Sequence, residues 1–239
     1  MDGGRTELTV LAAASLREPL RDVSVAYEAA AGVRLAVVTD ASSGLRVQIE
    51  QGARADVFLS ADEANPDALA SAGLTDGPVV GFAGNRLAVI VPAGNPGRLG
   101  SPADLARPGV SVVAAGDRVP ITRYAEELVA RLAILPGYPA DFVTRYGANV
   151  VTREDNVQAV LTKIELGEGD AAIVYASDAL AAERVTALAI PDEAMVTATY
   201  TGAVLSSAAD GGAARAFLEW LAGPDAGVIL AGHGFVAIP

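Results

Sequence analysis

The chain has 239 residues, of which 51% are hydrophobic, and a formal net charge of −12. That length fits one large domain or two of about 100–150 residues each, with enough apolar side chains for a sizeable core. The acidity excludes nucleic acid as a natural partner, because binding it needs a basic face. The lack of cysteine excludes disulfides, thiolate nucleophiles and cysteine zinc sites. No apolar run reaches the roughly 18 residues a membrane-spanning helix requires.

The opening Met1-Asp2-Gly3-Gly4-Arg5 has neither a basic region nor an apolar stretch of signal-peptide type, so the protein is either cytoplasmic or a secreted chain with its signal removed. Leu8–Leu11 reads as a first strand. Leu16, Leu20, Val23 and Tyr27 then recur at helical spacing on one face. Leu35–Val38 predicts a second strand, and Leu45 with Ile49 a helix ending at Gly52. Val57–Leu59 predicts a third strand, followed by a helix up to Gly73. Val79 to Gly84 carries small residues before Asn85. Leu87–Val91 reads as a buried strand stopped by Pro92, with a loop to Pro96. Val110–Ala114 is a further strand, and Pro120 to Leu135 a helix. A short helix is expected at Ala140–Arg145 and a strand near Asn149–Val151. Val157, Val160, Leu161 and Ile164 mark another helical face. Ala171–Tyr175 has the all-apolar character of a fully buried strand. Val196–Leu205 is β-rich, and helices around Ala213–Leu221 and Pro224–Leu230 close the chain. Strands alternating with helices predict parallel sheets covered by helices.

In open α/β sheets ligands bind beyond the carboxyl ends of the strands, where helix starts offer unbonded N–H groups and the positive end of the dipole. Four strand-to-helix turns have that character. Ala12-Ala13-Ala14-Ser15-Leu16-Arg17-Glu18 pairs Ser15 with Glu18 at capping-box spacing. Asp40-Ala41-Ser42-Ser43-Gly44 supplies two hydroxyls and a permissive glycine. Val119-Pro120-Ile121 puts proline where a first helical residue loses nothing. Glu154-Asp155-Asn156-Val157 offers a cap followed by an outward amide. Each taken alone is explained as well by plain helix capping. Tyr175, closing its strand, reads equally as a half-buried core tyrosine. Taken together, they would suit a small desolvated anion held by neutral dipoles. The acid surface does not oppose this, since charges more than about 8 Å away are screened at physiological salt.

The sequence resembles the molybdate-binding proteins of ABC transporters, the ModA family, through Leu11-Ala12-Ala13-Ala14-Ser15-Leu16, Ala55-Asp56-Val57-Phe58-Leu59-Ser60-Ala61-Asp62, Val119-Pro120 with Tyr124-Ala125, Ile173-Val174-Tyr175 with Ser177-Asp178-Ala179, and Gly234-Phe235. The resemblance implies an α/β, two-lobed type II periplasmic-binding-protein fold, each lobe a mostly parallel sheet with helices on both faces. Residues 1–84 and 197–239 would form lobe I and 85–196 lobe II, with the ligand cleft between them. It implies that Ser15, Ser42, the amides of Ile121 and Val157, and the Tyr175 hydroxyl hold a tetrahedral oxyanion, molybdate or tungstate. Ala41, where some relatives carry serine, leaves Ser42 and Ser43 as alternatives, and the bulk of Ile121 requires its side chain to point away from the ligand. A monomer, a permease partner in the membrane, an extracytoplasmic location with the signal segment removed, no cofactor and no catalysis are implied as well.

Rival readings rest on weaker features. His233, between Gly232 and Gly234, has no partners in sequence for a catalytic role. Asp62-Glu63 and Glu126-Glu127 fall on expected helix faces and read as solvated. A binder of sulfate, phosphate or an organic acid is the nearest alternative. An organic acid would call for an arginine fork, and Arg17, Arg46 and Arg123 read as surface positions on helices. A cytoplasmic anion-sensing effector domain would need a DNA-binding module, and no such segment precedes residue 8.

Overall fold

A computed structural model describes residues 6–238. It divides into two compact units, one running to Gly84 and resuming at Thr199, the other spanning Asn85–Ala198.

The first unit opens with β1 (Glu7–Ala13), α1 (Pro19–Ala31), β2 (Arg34–Asp40), α2 (Ser42–Glu50), β3 (Val57–Ser60) and α3 (Ala64–Ser71). A single 3-10 turn, Ala14–Leu16, intervenes before α1. Proline at the first position starts α1, and Leu20, Val23 and Tyr27 form its buried face. Gly32 ends it at φ 70°, a left-handed conformation that glycine adopts without a Cβ clash. β4 (Val80–Pro92) crosses into the second unit. There follow β5 (Val112–Ala115), α4 (Pro120–Ala133), α5 (Phe142–Asn149), β6 (Val150–Glu154), α6 (Val157–Leu166), β7 (Ala171–Tyr175), α7 (Ala176–Ala181) and β8 (Val185–Leu188). β9 (Thr197–Val204) returns to the first unit, completed by α8 (Gly211–Leu221) and α9 (Pro224–Gly232).

β1 is flanked by β2 and β3, both parallel to it, and β9 lies antiparallel against β3. In the second unit β5 is flanked by parallel β6 and β7, while β4 lies antiparallel to β7 and β8. Each sheet is thus parallel around its central strand, β1 or β5, and antiparallel where the strands that cross the unit boundary, β9 and β4, join it, with β8 returning along β4.

Core packing follows the sequence pattern. Phe58, Leu45 and Leu69 are fully buried with Leu11, Ile49 and Leu205 around them, each such side chain contributing roughly 1.5–3 kcal/mol by leaving water. All five residues of β7 are buried, as expected of a strand covered on both faces.

Some elements differ from expectation. Val80–Gly84, for which the sequence offered no element, forms the start of the thirteen-residue β4, with Phe82 and Ala83 buried. α5 continues to Asn149, because fully buried Phe142 and partly buried Tyr146 lie four apart and carry the helical face past Gly147. α7 and β8 follow Tyr175 without a strong periodic signal. α7 is only six residues long, and the β8 burial pattern is half-exposed along its whole length.

Candidate functional site: donor loops at the strand ends

The parallel registers put the loops of interest at one edge of each sheet. Ala13 at the end of β1 is level with Asp40 at the end of β2, and Ala12 is level with Leu59. Ser15, Ser42 and the loop after β3 therefore share the carboxyl edge of the first unit. In the second unit Ala115 is level with Glu154, and Val113 with Ala172. That gathers the loops leading to Ile121, Val157 and Tyr175 on the carboxyl edge of that sheet.

Ser15 does not cap a helix. It sits inside the Ala14–Leu16 turn, whose N-cap, Ala13, makes no side-chain bond, and Glu18 pairs instead with Arg21 at 2.5 Å. The capping-box reading fails because the chain makes a 3-10 turn before α1 begins, which moves the helix start to Pro19. The Ser15 hydroxyl instead lies 2.7 Å from the phenol of Tyr200 on β9. Both residues are buried.

Ser42 is the first residue of α2 and is also not a cap. Its hydroxyl oxygen accepts the Ala61 N–H at 3.1 Å, tying the start of α2 to the loop after β3. Ser43 is half-buried, with a solvent share that Ser42, at 1% exposure, lacks.

Beneath these serines lies a polar network that sequence reasoning missed. Asp62, read as a solvated carboxylate, is buried. It accepts the Ser60 hydroxyl at 2.8 Å, the Asn65 amide N–H at 3.2 Å and the Asn65 side chain at 2.9 Å. The reading failed because Asp62 lies in the loop ahead of α3, where unbonded N–H groups attract a carboxylate. Thr201 on β9 donates to the Asp62 carbonyl at 2.7 Å. Arg46 is half-buried rather than a surface arginine, and reaches Asn65 Oδ1 at 3.0 Å and Glu50. Arg17 follows the 3-10 turn, outside any helix, and donates to Thr39. Glu126, Glu127 and Arg123 are exposed on α4.

In the second unit Pro120 and Ile121 are the first two residues of α4. Backbone N–H groups of a first helical turn have no partner within the helix, so the Ile121 amide remains available. Its side chain is buried and turned into the unit, lining a cavity of about 170 Å³ with Val129, Ile173, Glu126 and Arg153. Thr122 fixes the turn by donating to the carbonyls of Ala115 at 3.1 Å and Gly116 at 2.8 Å. Asn156 caps α6, accepting the Ala159 N–H at 3.0 Å, and Val157 is the first helical residue. The Val157 amide therefore lies among the unbonded N–H groups of that turn. Tyr175 ends β7, is 1% exposed and is the N-cap residue of α7. Asn85 joins this turn, donating to the Ser177 hydroxyl at 2.7 Å and accepting the Ser177 amide at 3.4 Å.

Asp178, in the first turn of α7, is a buried carboxyl that the sequence offered only as part of a family motif. Oδ1 accepts Gln158 Nε2 at 2.7 Å, while Oδ2 is buried without a hydrogen bond. Burial pushes its pKa up to about 7, against the smaller opposing effects of the Tyr175 backbone and Gln158.

His233 ends α9 and lies 2.8 Å from an Asp22 carboxylate oxygen on α1, a surface pair joining two helices. Among the described residues, no cluster of three or more His, Cys, Asp or Glu side chains is arranged to hold a metal ion.

Comparisons with known proteins agree with this architecture. Residues 8–236 match the family model described as bacterial extracellular solute-binding protein. The molybdate-binding protein ModA of Mycobacterium tuberculosis is 36% identical over 237 residues, covering 97% of this chain and 85% of that protein. The periplasmic molybdate-binding protein of Azotobacter vinelandii superposes with a TM-score of 0.81 at 23% identity, covering 97% of this chain and 99% of its own. The sulfate-binding protein SubI of M. tuberculosis does so with a TM-score of 0.85 at 24% identity, covering 96% and 86%. The two structural likenesses are in fold. The match over nearly the whole chain decides the class: this protein belongs to the bacterial extracellular solute-binding proteins, a family of binders rather than enzymes.

Proposed function

We propose that this protein binds molybdate or tungstate as the solute-binding component of an ABC importer and delivers it to a membrane permease. The donors in this reading are the hydroxyls of Ser15, Ser42 and Tyr175 and the amides of Ile121 and Val157. The observation that carries it is the setting of the two serines and two helix starts at strand carboxyl ends, with no lysine among them. The 36% identity to a protein named for molybdate binding supports the choice of ion. Hydrogen bonds to a charged group contribute about 1.5–3 kcal/mol each. Five of them, about 7.5–15 kcal/mol together, less an association cost of about 4–15 kcal/mol, reach micromolar affinity, about 8 kcal/mol, at the favourable end of both ranges.

The reading extends to a monomer acting outside the cytoplasm, its signal segment removed on export. Molybdate in this scheme is cargo and not a cofactor. Titration calorimetry of the purified chain with molybdate, tungstate and sulfate tests it. Heat from the first two and little from sulfate is the expected result, and no heat from either of the first two would end it. Sulfate is the second reading, favoured by the likeness in fold to a sulfate-binding protein. It would stand if sulfate alone bound tightly.

A further inference from the structure

Tyr200 occupies a position that the oxyanion reading does not use. Its phenol lies 2.7 Å from the Ser15 hydroxyl, across 185 residues of sequence. The ring is fully buried and packed edge-on by two aromatic neighbours, Phe82 at 6.2 Å and Phe235 at 5.1 Å between ring centres. The next residue of β9, Thr201, points to the other face, as alternation along a strand requires, and holds the Asp62 carbonyl. Consecutive residues of one strand thus fix the loop after β1 and the loop after β3. All of these groups belong to the first unit.

The polarity of the Ser15–Tyr200 pair matters. A serine hydroxyl has one proton to give and two lone pairs to receive with. An oxyanion such as molybdate or sulfate only accepts. If Ser15 gave its proton to Tyr200, it would present an oxygen lone pair to the anion. If Tyr200 gives its proton to Ser15, the serine proton is released to point at the ligand, and the bond it receives polarises the one it makes. Charge-assisted bonds are the stronger ones, so the presence of the anion selects the second arrangement.

We propose that Tyr200 is a positioning residue for oxyanion binding: its phenol donates to Ser15 Oγ and so commits the Ser15 proton to the ligand. This rests on the role given to Ser15 above. It adds that the affinity carried by Ser15 depends on a hydroxyl that itself does not touch the ion.

The test is a double-mutant cycle read by calorimetry with molybdate, and with sulfate in parallel. Tyr200→Phe keeps the ring and its packing and removes only the hydroxyl. It should weaken binding about 5- to 20-fold while the chain stays folded, with a melting temperature lowered by no more than the loss of one buried hydrogen bond. Ser15→Ala should weaken it about 10- to 100-fold. The double variant should bind no more weakly than Ser15→Ala alone, since in this proposal Tyr200 reaches the ion through the serine. Unchanged affinity in Tyr200→Phe would overturn the proposal. So would losses that multiply in the double variant, which would make Tyr200 a direct ligand or a separate structural contributor. Absence of binding by the unmutated chain to either ion would instead bring down the functional reading, and this inference with it.

Discussion

Gln158, the residue after Val157, donates its side-chain amide to Asp178 at 2.7 Å, and Asp178 lies three residues beyond Tyr175. One partly buried contact therefore ties the first turn of α6 to the turn that follows β7. The carboxyl that accepts it is held near neutrality by burial, with a pKa of about 7 against an ordinary 3.8. Of the elements packed around α7, β8 has no titratable side chain, β7 has Tyr175, and α6 has Lys163, which pairs with Glu154 at 2.8 Å, and Glu165.

That carboxyl predicts a pH dependence of stability. The folded chain keeps the Asp178 proton up to about pH 7, whereas the unfolded chain releases it near 3.8. The folded state binds the extra proton between those values, so this group lowers stability as pH rises through the window and is constant above it. Asp178→Asn retains an oxygen for Gln158 and cannot ionise. Its melting temperature should exceed that of the unmutated chain near pH 8, and the difference should vanish near pH 4. Parallel melting curves for the two proteins across this range would contradict the assignment.

The two serines after β2 should separate cleanly. Ser42→Ala is expected to weaken molybdate binding about 10- to 100-fold, from loss of one bond to a charged group. It should also cost about 1 kcal/mol in stability, because the Ala61 N–H loses its acceptor. Ser43→Ala should leave affinity within about twofold. Calorimetry and thermal melts on the pair decide between the two hydroxyls, and an inverted result would move the contact to Ser43.

Asn156→Ala removes the α6 cap. A loss of about 1 kcal/mol in stability is expected. A fall in oxyanion affinity should accompany it, since the cap holds the turn that presents the Val157 amide. Chemical denaturation together with ligand titration checks both. Lost stability with full affinity would show that the Val157 amide is not used.

Gly202 on β9 offers a control for packing without ligand contact. A Cβ there would come within 2.5 Å of a Leu218 methyl and 2.8 Å of a Leu59 methyl, both on buried side chains. Gly202→Ala should cost about 1–3 kcal/mol by overpacking and leave the affinity of the folded protein unchanged.

The parts of this fold visible in the sequence are those governed by neighbours along the chain. Pro120 and Asn156 announced the starts of α4 and α6 because proline and asparagine act on the adjacent backbone. The faces of α1 and α6 followed from spacing alone. The roles of Ser15 and Asp62 did not, because their partners are set by tertiary structure. Ser15 meets Tyr200 from the far end of the chain, and the Asp62 network includes Arg46 through Asn65 as well as Thr201 on β9. A capping motif specifies a local bond, and a partner that only folding brings near can override it. The burial of Asp178 was hidden for a similar reason: it depends on how α6 and α7 pack.

The acidic balance of the chain has a kinetic corollary. Arg46 is engaged by Glu50 and Arg153 lies 3.3 Å from Asp117, while Arg17, beside Ser15, meets the Thr39 hydroxyl rather than a carboxylate; the chain as a whole carries a net charge of −12. A dianion must then arrive against the long-range field and be rewarded only at contact. Adding salt should quicken capture by damping that repulsion, the reverse of the trend at sites that draw anions in with lysine and arginine.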